Sequence, residues 1–158
     1  MIRPGTPGDA EEVARVQVQT WQAAYAHALP HDQLMALSVE ERTEGFRRWP
    51  PTLVAEADGA VVGYIAVGRT HDESGDGELY AIYVLPAQWG TGVGRALITA
   101  GEECLRELGH QDAHLWVLDD NPRARNFYEA AGWAVDGTAR RVEFLGFVLD
   151  EVRYTKRL

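Results

Sequence analysis

Gly90, Gly92 and Gly94 stand where a strand-like run, Tyr83-Val84-Leu85, passes through Pro86-Ala87-Gln88-Trp89 into an apolar-periodic run that opens with Arg95-Ala96-Leu97-Ile98. The first amides of a helix have no partner within it, and glycines let an anion approach the backbone closely, so this order of elements can hold a phosphate. A strand-to-helix turn can also need glycines for conformation and packing alone, and spacing does not separate the two uses. No Gly-Lys-Ser or Gly-Lys-Thr closes the loop and no Gly-x-Gly-x-x-Gly run is present, which argues against a nucleoside-triphosphate loop or a dinucleotide fold.

A second block, Asn121-Pro-Arg-Ala-Arg-Asn-Phe-Tyr-Glu-Ala-Ala-Gly-Trp133, follows the next strand-like segment. Together the two blocks resemble the GNAT superfamily of N-acetyltransferases. In that family a Gln/Arg-x-x-Gly-x-Gly/Ala turn cradles the pyrophosphate of coenzyme A. Here the turn reads Trp89-Gly90-Thr91-Gly92-Val93-Gly94, with Trp89 in the usual Gln or Arg position. The family's second block, Asn-x-x-Ala-x-x-Phe-Tyr-Glu-x-x-Gly-Phe/Trp, is matched at every named position. The resemblance implies a single domain over residues 1–158 and an α/β fold. Its mixed, mostly antiparallel sheet would have about seven strands, with about four helices on both faces and a V-shaped split between strands four and five. It also implies acetyl-CoA as co-substrate, no metal, and a homodimer formed through the C-terminal strands as a possible assembly.

Acetyl transfer from a thioester to an amine needs a held co-substrate, a polarised carbonyl, a deprotonated nucleophile and a proton for the departing thiolate. By resemblance the pantetheine arm lies along the fourth strand, on the backbone of Ile82, Tyr83 and Val84, and an amide there faces the oxyanion. Leu79, Ile82 and Val84 break strict alternation as a bulge would; a central strand apolar on both faces would read the same way. The pyrophosphate falls to Trp89, Gly90, Thr91, Gly92, Val93, Gly94 and Arg95, with Asn121 as a further contact. Arg123 and Arg125 are other cations that could offset a polyanion.

Tyr128 is the candidate acid and a further contact to the co-substrate. A phenol of pKa near ~10 can donate to a departing thiolate of pKa near ~8.5. Glu78, at the head of the fourth strand, is the candidate base for an acceptor that is mostly ammonium at neutral pH; a strand-edge surface charge and a water chain are the alternatives. Trp21, Tyr25 and Tyr80 are candidates to line the acceptor cleft. Acetyltransferases of ribosomal-protein N-termini tend to carry a Leu-Glu-Val-Arg pattern on the fifth strand, whereas this chain has Leu115-Trp116-Val117-Leu118. The leading expectation is therefore a small-molecule amine as acceptor, with a protein or peptide acetyltransferase and a non-catalytic CoA-binding sensor as alternatives.

The elements that must position these residues follow from composition and periodicity. The chain has 158 residues, 46% of them apolar, which is one domain's length and enough for a substantial core. It carries no signal-peptide core and no apolar run long enough for a bilayer, so a soluble, cytoplasmic protein is expected. A formal net charge of -9 argues against a nucleic-acid surface. Cys104 lies on the apolar stripe of Leu97, Ile98, Leu105 and Leu108 and reads as a packed small residue rather than a nucleophile. His71, Asp72, Glu73 and Asp76 lack the spacing of a calcium or zinc site, so residues 69–77 read as a solvated turn.

A strand at Ile2-Arg3 and a helix over 10–25 capped by Asp9 come first. A turn over 32–37 and a helix opening at Ser38, with Glu41 in a capping-box position, follow. Residues 52–57 and 61–67 around Asp58-Gly59 read as a hairpin, 78–85 as the fourth strand and 92–108 as a helix. Residues 113–118 read as the fifth strand, 121–131 as a helix, and 133–135 and 147–154 as the last strands, with an undefined connection through 140–146.

Overall fold

The computed structural model describes residues 1–158. Three helices follow the first of seven strands, then three strands, a helix, a strand, a helix and two strands, and the strands form one sheet in the order β1-β2-β3-β4-β5-β7-β6. The architecture is the expected mixed, mostly antiparallel one, and β4 on β5 is its parallel pair. Two compact units divide the chain, Met1–Ala66 with Ala81–Gly101 and Val67–Tyr80 with Glu102–Leu158.

In the first unit, β1 (Ile2–Pro4) and β2 (Leu53–Ala57) pair antiparallel, and β2 turns into β3 (Ala60–Arg69) through Asp58 and Gly59 at φ of 53° and 79°. Both positive values suit the twist of a two-residue hairpin. The register slips between Ala55 and Glu56, and the Val61 amide finds its acceptor in the Glu12 carboxylate of α1 (Ala10–Ala24), at 2.6 Å. Val13 and Val16 of α1 pack on Val54, Val61 and Tyr64, with Phe46, Ala81 and Tyr83 around them. Burial of the Tyr64 phenol pushes its ionisation well above the ordinary tyrosine range.

Asp9 does occupy the residue before α1, but its side chain makes no cap bond to that helix. Its carboxylate instead accepts from Arg3 at 2.8 and 2.9 Å and from the Thr6 amide at 2.9 Å, with the Arg3 bonds the largest cause of a pKa lowered to about 2. The expected turn after Pro30 is a short helix, α2 (His31–Met35), which raises the helix count from four to five. Ser38 caps α3 (Val39–Arg48) as expected, its hydroxyl accepting from the Glu41 amide at 3.2 Å.

In the second unit, β5 (Asp112–Leu118) pairs along its length with β7 (Phe147–Arg157), and β7 with β6 (Ala134–Phe144). The undefined connection of the sequence is thus strand: β6 runs on through Phe144 and turns at Leu145-Gly146, at φ of 52° and 82°. Its residues are mostly exposed, so no apolar alternation marks it. Cross-strand ion pairs do that work, Arg140 with Glu151 at 2.8 Å and Arg141 with Asp150 at 3.2 Å.

Helix α5 (Pro122–Ala130) has proline at its first position, and the Asn121 side chain accepts from the Ala124 amide at 3.2 Å. Gly132, at φ 92°, ends it, and Lys156 from β7 donates to the Ala131 carbonyl at 2.8 Å and to Glu102 at 2.5 Å. The chain end of α5 is thereby tied to β7, which fixes the helix that carries Tyr128. No helix of the protein is long and apolar enough to cross a membrane.

Candidate active site

The site residues of the first unit lie on the end of β4 (Gly77–Val84) and the start of α4 (Val93–Glu107). Gly90 and Gly92 take φ of 78° and 92°, which L side chains rarely adopt, and an added Cβ at either would meet nothing within 4 Å. The glycines therefore serve the path of the turn and leave open space over it. Thr91 is the nearest hydroxyl to the helix start, but it donates to the Gln88 carbonyl at 2.6 Å and does not cap α4. Ala96 is the first amide to find a helical acceptor, Gly92 O at 3.0 Å, so the turn presents the amides of Gly92, Val93 and Gly94. Such an arrangement can hold a phosphate oxygen through backbone donors at the positive end of a helix.

Trp89, which departs from the family's Gln or Arg, has a local role. Its indole Nε1 donates to the Val84 carbonyl at 2.8 Å and so ties the turn to the end of β4. The same carbonyl accepts from Thr20 of α1 at 3.4 Å, which means that Val84 offers little through its oxygen. Ala81 and Tyr83 pack toward the α1 core, and Val84 lies beside Leu97, as shown by what a Cβ at Gly63 would touch. The apolar run at the end of β4 thus reflects cover on both faces of the strand. Trp21 meets Tyr83 edge-on at 6.3 Å and carries the Arg42 guanidinium over its ring at 4.7 Å, while Tyr25 follows the last residue of α1.

The second unit holds Glu78, Tyr80, Asn121 and Tyr128. The parallel register of β4 on β5 consists of two positions, Gly77↔Ala113 and Glu78↔His114, so pairing ends where Glu78 sits. Thr70, after β3, donates to Glu78 Oε1 at 3.0 Å, and His114 Nε2 lies 3.3 Å from that same oxygen. His114 is 1% exposed in a strand of otherwise apolar interior residues. Asp72 and Asp76 approach it too, at 3.6 Å from Nε2 and 3.8 Å from Nδ1.

The acidic segment read as a solvated turn is largely exposed, yet it turns two carboxylates onto a buried imidazole. Its shape comes from its own bonds: the Thr70 amide donates to the Asp76 carbonyl, the Ser74 amide to Asp72, and the Asp76 amide to Ser74. Bonds from Ser74 hold the Asp72 carboxyl below its usual range. His114 is the site residue that sequence reasoning missed. The signal was a lone polar side chain between Ala113 and Leu115 in a buried strand.

Tyr80 is exposed, stacks on His71 at 5.5 Å, and donates to the Arg69 carbonyl. Burial, then the nearby Glu78 charge, raises its phenol above the ordinary tyrosine range. Tyr128 is buried in α5 with its ring beside Phe127 at 5.5 Å and Tyr154 at 6.1 Å, and its carbonyl accepts from the Trp133 amide at 3.0 Å. Arg123, whose pKa burial lowers, senses the Tyr128 phenol electrostatically. Arg125 is committed elsewhere, to the Tyr154 hydroxyl at 3.0 Å and Asp119 at 2.9 Å. Burial, then Glu107 and Glu103, raises the Cys104 thiol, which disfavours a thiolate nucleophile.

Residues 11–133 match the Acetyltransferase (GNAT) family. Over 134 residues the chain is 34% identical to the N-acetyltransferase YuaI of Bacillus subtilis, covering 82% of this chain and 77% of that protein. It is 32% identical over 138 residues to a mycothiol acetyltransferase of Streptomyces avermitilis, covering 87% of this chain but 44% of that relative, less than half its length. Among solved structures, the PaiA N-acetyltransferase of Thermoplasma acidophilum in complex with coenzyme A superposes with a TM-score of 0.79 at 19% identity, over 100% of this chain and 98% of that one. At that identity the likeness is one of fold.

Proposed function

The chain belongs to the acetyltransferase (GNAT) family and is an acyltransferase, and from that premise we propose that it transfers acetyl from acetyl-CoA directly to the primary amine of a small molecule in the cytoplasm. The observation that carries the co-substrate is the turn before α4. Its two glycines at positive φ leave open space above them, and no threonine hydroxyl caps the helix. Backbone amides there would hold the pyrophosphate, with Arg95 adding charge. Ile82 and Tyr83 would offer backbone to the pantetheine arm, whereas Val84 would contribute through its amide, since its carbonyl is engaged.

Glu78 would take a proton from the ammonium form of the acceptor, whose pKa near ~10 leaves little free amine at neutral pH. Attack of the amine on the thioester carbonyl forms the new C–N bond, and loss of the C–S bond sends an electron pair to sulfur. Tyr128 would return a proton to that thiolate, a transfer uphill from ~10 to ~8.5 by about 2 kcal/mol that its reprotonation from solvent offsets. Trp116 supports a small acceptor over a peptide N-terminus. It stands where acetyltransferases of ribosomal-protein N-termini tend to carry a glutamate, and Arg140 covers its ring at 4.2 Å.

The test is thermal unfolding with and without acetyl-CoA, followed by thiol release with an amine panel and with peptides. Saturation at ~100 times Kd should add ~2.7 kcal/mol of stability, and charge reversal at Arg95 should weaken the shift. An unchanged melting curve would remove the co-substrate assignment, and release with peptides alone would move the acceptor to proteins.

A further inference from the structure

Glu78 is held by one oxygen. Thr70 Oγ1 and His114 Nε2 both converge on Oε1, at 3.0 and 3.3 Å, and Oε2 has no hydrogen-bond partner. The direction of these bonds follows from what each atom can give. Thr70 spends its hydroxyl proton on Glu78 and accepts from the Asp72 amide at 3.3 Å. Nε2 then faces only oxygen lone pairs, those of Glu78, of Thr70 at 3.3 Å and of Asp72 at 3.6 Å, so Nε2 carries a hydrogen. Nε2 makes its hydrogen bond to Thr70 Oγ1, whose own proton goes to Oε1, so β5 braces Glu78 through Thr70 with Nε2 itself 3.3 Å from Oε1, and the parallel register sets Glu78 beside His114 at the last paired position.

We propose that His114 and Thr70 are positioning residues for the base: Thr70 donates to Oε1, His114 holds the Thr70 hydroxyl and stands beside Oε1, and together they lock the Glu78 carboxylate and leave Oε2 as the oxygen that takes the acceptor's proton. The inference rests on the reading of Glu78 as the base. A carboxylate on a strand has several rotamers, and proton transfer requires the accepting oxygen to stay within hydrogen-bond reach of the amine. A braced donor on one oxygen holds one rotamer without using the other oxygen. Asp72 completes the arrangement from outside, since its carboxylate 3.6 Å from Nε2 favours a hydrogen on that nitrogen, while Asp76 lies 3.8 Å from Nδ1 on the other side of the ring.

The experiment measures thiol release from acetyl-CoA with n-butylamine, benzylamine, glycinamide and lysine methyl ester, comparing E78Q, H114N, H114Q, T70V and T70S with the unsubstituted protein. Glutamine places an N–H donor at the reach of Nε2, whereas asparagine places one only near Nδ1. Serine keeps the Thr70 donor and valine removes it. H114N and T70V should each lose about tenfold or more in kcat with the acetyl-CoA KM little changed, and H114Q and T70S should recover most of that loss. A role confined to packing would not separate His114→Asn from His114→Gln in kcat at equal folded fraction. If H114N fails to fold, the Thr70 pair, close in shape, carries the comparison.

Unaffected kcat in both H114N and T70V beside an inactive E78Q overturns the positioning roles alone. Full activity in E78Q overturns the base itself, and the positioning roles with it. No amine-dependent release by the unsubstituted protein with any of the four amines likewise overturns the reading of Glu78 as the base for small amines.

Discussion

The turn from Trp89 to Gly94 offers backbone and keeps side chains out of the way, whereas at Glu78 two side chains from other segments meet one carboxylate oxygen, Thr70 by a hydrogen bond and His114 at 3.3 Å. The first arrangement is built within a few consecutive residues, and its chemistry, amides at a helix start, tolerates a changed side chain such as Trp89. The second depends on Thr70, Glu78 and His114 meeting across a loop and two strands. A backbone site can therefore drift in side-chain identity and still bind, while a side-chain site fails when one donor is lost. Substitution should separate the two cleanly, as affinity on one side and turnover on the other.

The largest effect is expected at Glu78. E78Q keeps the shape and Oε1 as an acceptor but removes the base, so kcat should fall by about 10² or more, within the usual range for general bases, while acetyl-CoA affinity measured by calorimetry stays near its original value. Y128F comes next, with a fall of roughly tenfold to 10² in kcat and little change in co-substrate affinity. Equal activity of Y128F and the unsubstituted protein across the pH range would remove the tyrosine as the acid. On the backbone side, an added Cβ at Gly92 meets no protein atom, but G92V forces a branched side chain to φ 92°, at a cost of about 1–2 kcal/mol. The predicted signature is a rise of roughly tenfold in the acetyl-CoA Kd with kcat at saturation little altered; a fall in kcat alone would erase the contrast.

The same contrast explains what could be read from the chain before its structure. The turn and the Asn121 to Trp133 block are local, and each element there came out within a residue or two of its expected bounds. Asn121, expected at the co-substrate, has a local duty visible only in three dimensions, accepting from the Ala124 amide. Thr70 and His114 were illegible as partners because they are separated along the chain and meet only through the register of β4 on β5. Strand β6 escaped for a different reason. Exposed on both faces, it replaces apolar alternation with Arg140, Arg141 and Glu143, which read as a polar connection.

The smallest effect on activity, none, is expected at Asp9, a carboxylate gripped by several donors. Both of its oxygens are used, Oδ1 by Arg3 and Oδ2 by Arg3 and Thr6, so neither is left open to an acceptor amine and it serves the fold. Its pKa is lowered from 3.8 to about 2, chiefly by Arg3. A lowered carboxylate stabilises the folded state above its unfolded pKa, and that stability is lost as pH falls from near 4 through about 2. With Asp9 buried but Arg3 open to screening, the contribution is on the order of 1–2 kcal/mol. D9N should thus lower the melting temperature at neutral pH and flatten the acid limb of stability below pH ~4, with kcat unchanged at temperatures where it is folded. Loss of kcat in folded D9N would mean that a fully bonded carboxylate also governs turnover, and the free oxygen of Glu78 would no longer distinguish the two.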